Sequence, residues 1–314
     1  MRVLLVALLA LAMPGHAQSM RYTLTPHAVA DDVFVFRGAD EDFSRANGGN
    51  IVNTGFIVAP EGVIVIDSGP SHRYGMAQRA AILAATGRDV VLVLITHLHP
   101  DHMLGSTAYA DVPIRALPTT AVQIESGGAQ LAENLYRLLG GWMSGSMAVA
   151  PAPLASVGMV ELAGRRLNLL AMRGHSAADL AVLDDASGVL FAGDLVFLDR
   201  APTTAHADLT RWKATLDAME KLDARVIVPG HGLVHGDTRG IAQTRDYLDW
   251  LATTLDEAAG RGLSMNEVMA LPAPERIASL PVFASEFARS VVHLYARAEE
   301  RSLRASPPMR QAKD

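Results

Sequence analysis

The chain of 314 residues contains no cysteine. That absence excludes a disulfide scaffold and removes thiolate as a metal ligand. Charge is sparse, at 19% of residues, and Lys plus Arg number 27 against 33 Asp plus Glu, a formal net charge of −6. No basic face exists to meet a phosphate backbone, so nucleic acid is excluded as a partner and a small-molecule substrate is expected instead. Long apolar runs are lacking too. The one notable run, residues 3–13, falls well short of the ~20 residues that cross a bilayer, so no membrane span is expected. Internal repeats and low-complexity segments are also missing. What remains is a half-apolar composition with 26 Gly and 16 Pro, which suits a folded globular protein with a sizeable core.

The run at 3–13 follows Arg2 and precedes Pro14, with small residues at Gly15 and Ala17. This pattern reads as a secretory signal, residues 1–17, cleaved near Ala17, and predicts a periplasmic or secreted protein. Residues 18–304 are then read as one domain and residues 305–314 as a polar, frayed tail.

Within that domain, 33–36, 51–58 and 63–66 are short β-rich runs, with Ala59 to Gly62 as a turn. A helix is expected over 74–85, followed by the apolar strand 90–96. Further strands are expected at 167–172, 189–192 and 225–228. Helical spacing recurs over 209–222, 241–255 and 287–295. This order predicts an α/β sandwich of sheets covered by helices. Residues 127–150, rich in Gly, Ser and Met, show no clear period and are read as an ordered insertion or a lid. In it, Trp142, Met143 and Met147 suit either an apolar lid or core filling. The polar loop 38–53 reads as a flap or a plain surface loop.

The strand at 90–96 runs into His97-Leu98-His99-Pro100-Asp101-His102. A core gains nothing from crowding three imidazoles and a carboxylate that must all be desolvated, whereas a metal site explains the crowding. His97 and His99, two apart in an extended segment, point to one side and can share an ion. Asp101 and His102, beyond Pro100, can face a second ion. Distant candidates sit where expected strands give way to loops beside glycine: His175 after Gly174, Asp194 after Gly193, and His231 between Gly230 and Gly232. His235 and His206 are weaker candidates for substrate contact.

With Asp67 in Ile66-Asp67-Ser68-Gly69, these residues stand in the order found in the metallo-β-lactamase-fold superfamily of metallohydrolases, which the chain resembles from about Val33 to His231. The resemblance implies a four-layer αβ/βα sandwich, two mixed sheets flanked by helices, with two Zn²⁺ at one edge; Fe or Mn suit the same ligands. It assigns His97, His99 and His175 to one ion, Asp101, His102 and His231 to the other, Asp194 between them, and Asp67 behind them, orienting the ligand loop. The implied activity is hydrolysis of an ester, thioester, lactone or related carbonyl by hydroxide shared between the ions, with Asp101 and Asp194 as catalytic residues. The family's β-lactamases carry Cys or Ser near the bridging position, whereas Phe191-Ala192-Gly193-Asp194 is similar to thioesterases and lactonases. A β-lactamase, a one-iron persulfide dioxygenase and a non-catalytic metal-dependent binder are the alternatives. The text around Asp194 to Arg200, Trp212 and His231 is similar to the SoxH-like exported zinc hydrolases, which implies a link to a quinoprotein dehydrogenase system.

Overall fold

A computed structural model describes residues 20–305. The expected signal segment, and the tail beyond Ala305, lie outside these residues. One sheet takes its strands in chain order, β1 (His27–Ala30), β2 (Val33–Phe36), β3 (Thr54–Ala59), β4 (Gly62–Ile66), β5 (Val90–Leu94), β6 (Ile114–Ala116) and β7 (Ala152–Pro153). It is antiparallel from β1 to β4 and parallel from β4 to β7. The second sheet runs β12 (Val226–Gly232), β11 (Val189–Leu198), β10 (Asp179–Asp184), β9 (Arg165–Met172) and β8 (Gly158–Leu162). Only its β11–β12 pair is parallel.

Both sheets are covered on both faces, which is why their central strands read as unbroken apolar runs. Along β2 and β4, Val33, Val35, Ile64 and Ile66 point inward to meet Leu167, Leu169, Leu180, Val182 and Phe191 of the second sheet. The alternate residues Phe36, Val63 and Val65 face outward onto α1 (His72–Thr86) and α3 (Pro118–Leu139). Leu190 and Ala192, on the far face of the second sheet, pack with α4 (Leu209–Met219), α5 (Arg239–Gly260) and α8 (Phe283–Ala305). Three apolar layers thus hold a four-layer αβ/βα sandwich of two mixed sheets. The short helices are α2 (Pro100–Met103), α6 (Met265–Met269) and α7 (Glu275–Ala278).

Several expectations change. The segment 127–150 is no insertion: its first half completes α3, whose apolar stripe of Ile124, Leu131, Leu135 and Leu139 becomes periodic only over the full 22 residues. Its second half makes a 3₁₀ turn in which Met143 is buried, while Met147 is 65% exposed. Trp142 donates Nε1–H to Arg45 O at 2.9 Å and packs at a tilt against the Tyr22 ring. Strands β11 and β12 extend past their expected ends, so Asp194 and His231 lie inside strands. No helix among the described residues is long and apolar enough to cross a membrane.

Asn53 joins the two sheets at the site edge. Its amide donates to Pro229 O (3.0 Å) and Gly232 O (2.8 Å), and its Oδ1 accepts from Gly38 N (3.1 Å). Asn53→Ala leaves these buried groups unpaired and is expected to destabilise the fold by roughly 3 kcal/mol, read as a lower urea midpoint at unchanged slope.

Candidate metal centre

The parallel strands β4, β5, β11 and β12 all end at one rim, and the candidate ligands gather there. β5 delivers His97 and His99, and Pro100, which starts α2 without needing a backbone N–H, turns the chain so that Asp101 and His102 face back. β11 bulges around Gly193, where its pairing with β12 skips and φ is +52°. Such a bulge re-aims a side chain, here Asp194. Gly230 of β12 passes directly over it: a Cβ at Gly230 would sit 1.9 Å from Asp194 Oδ1.

Two buried groups result, His97, His99, His175 and Asp194 in one and Asp101, His102 and His231 in the other, each with ligand atoms within 4.8 Å of one another. In the first, His99 Nδ1 lies 3.0 Å from His97 Nε2 and 2.8 Å from His175 Nε2. Asp194 Oδ2 faces this group, 3.3 Å from His175 Nε2, while Oδ1 faces the other, 3.1 Å from His102 Nε2 and 3.5 Å from His231 Nε2. Asp101 Oδ2 lies 3.3 Å from His231 Nε2.

The second nitrogens fix which lone pairs point inward. Thr96 Oγ1 gives its one proton to Asp67 Oδ2 (2.8 Å), so His97 Nδ1–H must donate to Thr96 Oγ1 (3.0 Å) and His97 Nε2 is left as a lone pair. His102 donates Nδ1–H to Asp67 Oδ2 (2.7 Å), and His231 donates to Ile51 O (2.7 Å). His99 turns its other nitrogen to His206 Nδ1 at 2.8 Å. Asp67, which also accepts from Thr96 N at 2.8 Å, sits at φ +61°. Left-handed backbone at a non-glycine residue costs of order 1–3 kcal/mol and persists where the surroundings enforce it.

Burial holds His97 and His99 well below the usual imidazole range, so both are neutral donors. For Asp101 burial works the other way, yet the His102 charge and the His231 hydrogen bond carry its carboxyl down to about 2. Burial opposes charge on His102 and His231 as well, but the carboxylate of Asp194 lifts both, aided at His102 by Asp67 and Asp101. Positive charge is therefore favoured where the carboxylates converge. Among buried side-chain atoms without a hydrogen-bond partner are His102 Nε2 and Asp194 Oδ1, which face each other. Convergent neutral nitrogens, ionised oxygens and these orphaned atoms fit two divalent cations, with Asp194 offering one oxygen to each.

A family model described as "Metallo-beta-lactamase superfamily" matches residues 47–231. The chain belongs to this superfamily. Relatives include the linear primary-alkylsulfatase of Pseudomonas sp. (strain ATCC 19151), 21% identical over 76% of this chain and 53% of that protein. The beta-lactamase-like protein 2 homolog of Caenorhabditis elegans is 24% identical over 54% of this chain and 52% of its own length. The human acyl-coenzyme A thioesterase MBLAC2 is 23% identical, covering 64% of this chain and 80% of that protein. The chain thus spans about half the length of the first two. Among solved structures, the metallo-beta-lactamase from Pontibacter korlensis superposes with a TM-score of 0.58 at 21% identity, covering 72% of this chain and 99% of that one. This likeness concerns the fold.

The centre opens on a cavity of about 340 Å³ that reaches His99, Asp101, Asp194 and His231. His206 lines it while holding His99, so it stands both on the cavity wall and behind a ligand. His235 does not line it. It is buried against Gly240, with Nδ1 at 2.9 Å from Leu233 O. The loop 38–53 contributes Asp42 and Phe43 to the wall, and Asp42 accepts from Ser285 Oγ of α8 at 2.5 Å. Sequence reasoning missed Arg200, Glu286 and Arg289, which also line the cavity. Buried Glu286 takes Arg289 at 2.6 Å and Arg200 at 3.6 Å; no motif signals them, since α8 is remote in sequence.

Asp67→Asn should weaken metal binding about 10- to 100-fold, because an amide N–H presented to His102 Nδ1 favours the tautomer whose Nε2 carries the proton. Chelator competition on the purified protein measures this. Gly230→Ala should lower metal content by displacing the Asp194 carboxylate, measured by elemental analysis.

Proposed function

We propose that the chain is a binuclear zinc hydrolase acting on an ester, thioester or lactone carbonyl. The observation that carries this reading is Asp194, one carboxylate presenting an oxygen to each of two buried His/Asp groups. His97 Nε2, His99 Nδ1 and His175 Nε2 would hold one ion, and Asp101, His102 Nε2 and His231 Nε2 the other. Nitrogen and oxygen donors without thiolate suit Zn²⁺. When bound, such ions supply Lewis acidity and bring the pKa of water from 15.7 towards ~7.

The protein's own contribution is orientation. Asp101, ionised and on the cavity wall, accepts a hydrogen bond from the attacking water and holds it in line with the carbonyl. Asp67, Thr96, His206 and Ile51 O orient the imidazoles of His97, His99, His102 and His231 before substrate arrives. The name of the human relative, an acyl-coenzyme A thioesterase, supports the carbonyl reading. Sulfate-ester hydrolysis is the second reading, favoured by the 76% of this chain that aligns with an alkylsulfatase.

The purified protein is expected to hold two metal ions, and Asp194→Ala about one; two-ion loading of that variant would refute the bridging role. Chelation should abolish turnover across a panel of p-nitrophenyl esters, acyl-coenzyme A thioesters, lactones, β-lactams and alkyl sulfates, with Zn²⁺ restoring it. A zinc-loaded protein inert on the whole panel would defeat the hydrolase reading.

A further inference from the structure

The cavity at the metal centre has two unlike walls. One is polar, formed by Arg200, Thr203, His206, Glu286, Arg289 and His293. The other is mainly apolar: Leu131, Leu135 and Leu138 of α3, with Asn134 as the polar residue among them and Phe43 contributed by loop 38–53. The three leucines lie at i, i+4 and i+7, a single stripe of the helix running about 10 Å. Leu135 is buried in the layer between α3 and the first sheet, whereas Leu138 is 55% exposed at the mouth. An exposed leucine that continues a buried stripe into a cavity containing Asp101 and Asp194 marks apolar surface kept open for a ligand.

Resting on the hydrolase reading above, we propose that this wall is a chain-binding subsite: the substrate carries a linear acyl or alkyl group that lies along Leu131–Leu138 and Phe43, its reacting bond directed to the metals. Loop 38–53 completes the subsite and is held over it, Asp42 by Ser285 and Arg289 of α8. Each methylene moved from water onto such a wall favours binding by roughly three- to fourfold, up to the length of the stripe.

Two measurements on the zinc-loaded full chain test this: kcat/KM for p-nitrophenyl acetate, butyrate, hexanoate and octanoate, and calorimetric binding of the matching carboxylates. Both are expected to rise about threefold or more per added methylene across the series. Leu138→Asp, at an exposed position, should cut the octanoate-to-acetate ratio at least tenfold, with Leu131→Ser as a second variant. Val122→Asp, on an exposed part of α3 away from the cavity, should leave that ratio as in the parent. Hydrolysis and binding indifferent to chain length, or a parent-like ratio in both leucine variants, would overturn the subsite while leaving the hydrolase reading intact. Chain-length-dependent binding without turnover of any substrate of the panel above would uphold the subsite and sink the hydrolase reading.

Discussion

Five imidazoles and two carboxylates buried in one place cannot be held without positive charge between them. Desolvating a carboxylate alone costs several kcal/mol, and two facing each other cost more. The rest of the site answers to that constraint. The bulge at Gly193, the bare backbone of Gly230 beside Asp194 and the left-handed Asp67 all spend local stability to bring donor atoms together. None of the three helps a sandwich that only had to pack. The close His97–His99–His175 approach likewise suits three nitrogens that converge on one cation.

Much of this was legible in the sequence because the chemistry is locally dense. His97 to His102 form a contiguous block, and His175, Asp194 and His231 each carry a glycine neighbour. The central strands were legible because burial on both faces makes them uniformly apolar. The limits were also physical. β8 alternates between half-buried and exposed, so its run is too weak to stand out. α3 was obscured because Ser126, Gly127 and Gly128 interrupt its middle, and only its full length restores the stripe. Asp194 and His231 looked like loop residues since a glycine-centred bulge within a strand has the same local text as a strand end. The partnership of His206 with His99, and the Arg200–Glu286–Arg289 cluster, join segments distant in sequence, and no spacing rule records such pairs.

The superfamily and the fold are established, whereas the bond cleaved depends on features outside the shared core. The chain superposes over 72% of its length on the metallo-beta-lactamase from Pontibacter korlensis at 21% identity. The cavity, by contrast, is walled by α3, α8 and the loop 38–53, all of them on the outer layers or in loops. The candidate ligands belong to the rim where the strands end, and the cavity's walls to what the outer helices place above it.

The distribution of ligands between the two sheets has a mechanical consequence. Each group draws on both halves of the sandwich: His97 and His99 against His175 and Asp194, Asp101 and His102 against His231. An ion in either group is then a cross-link, closing a loop of most of the central chain. A covalent bridge around a loop of ~100 residues restricts the unfolded chain by roughly 4–5 kcal/mol. In a protein without cysteine, ions held by these groups would fill that role, so that stripping them would loosen the seam between the sheets as well as empty the site.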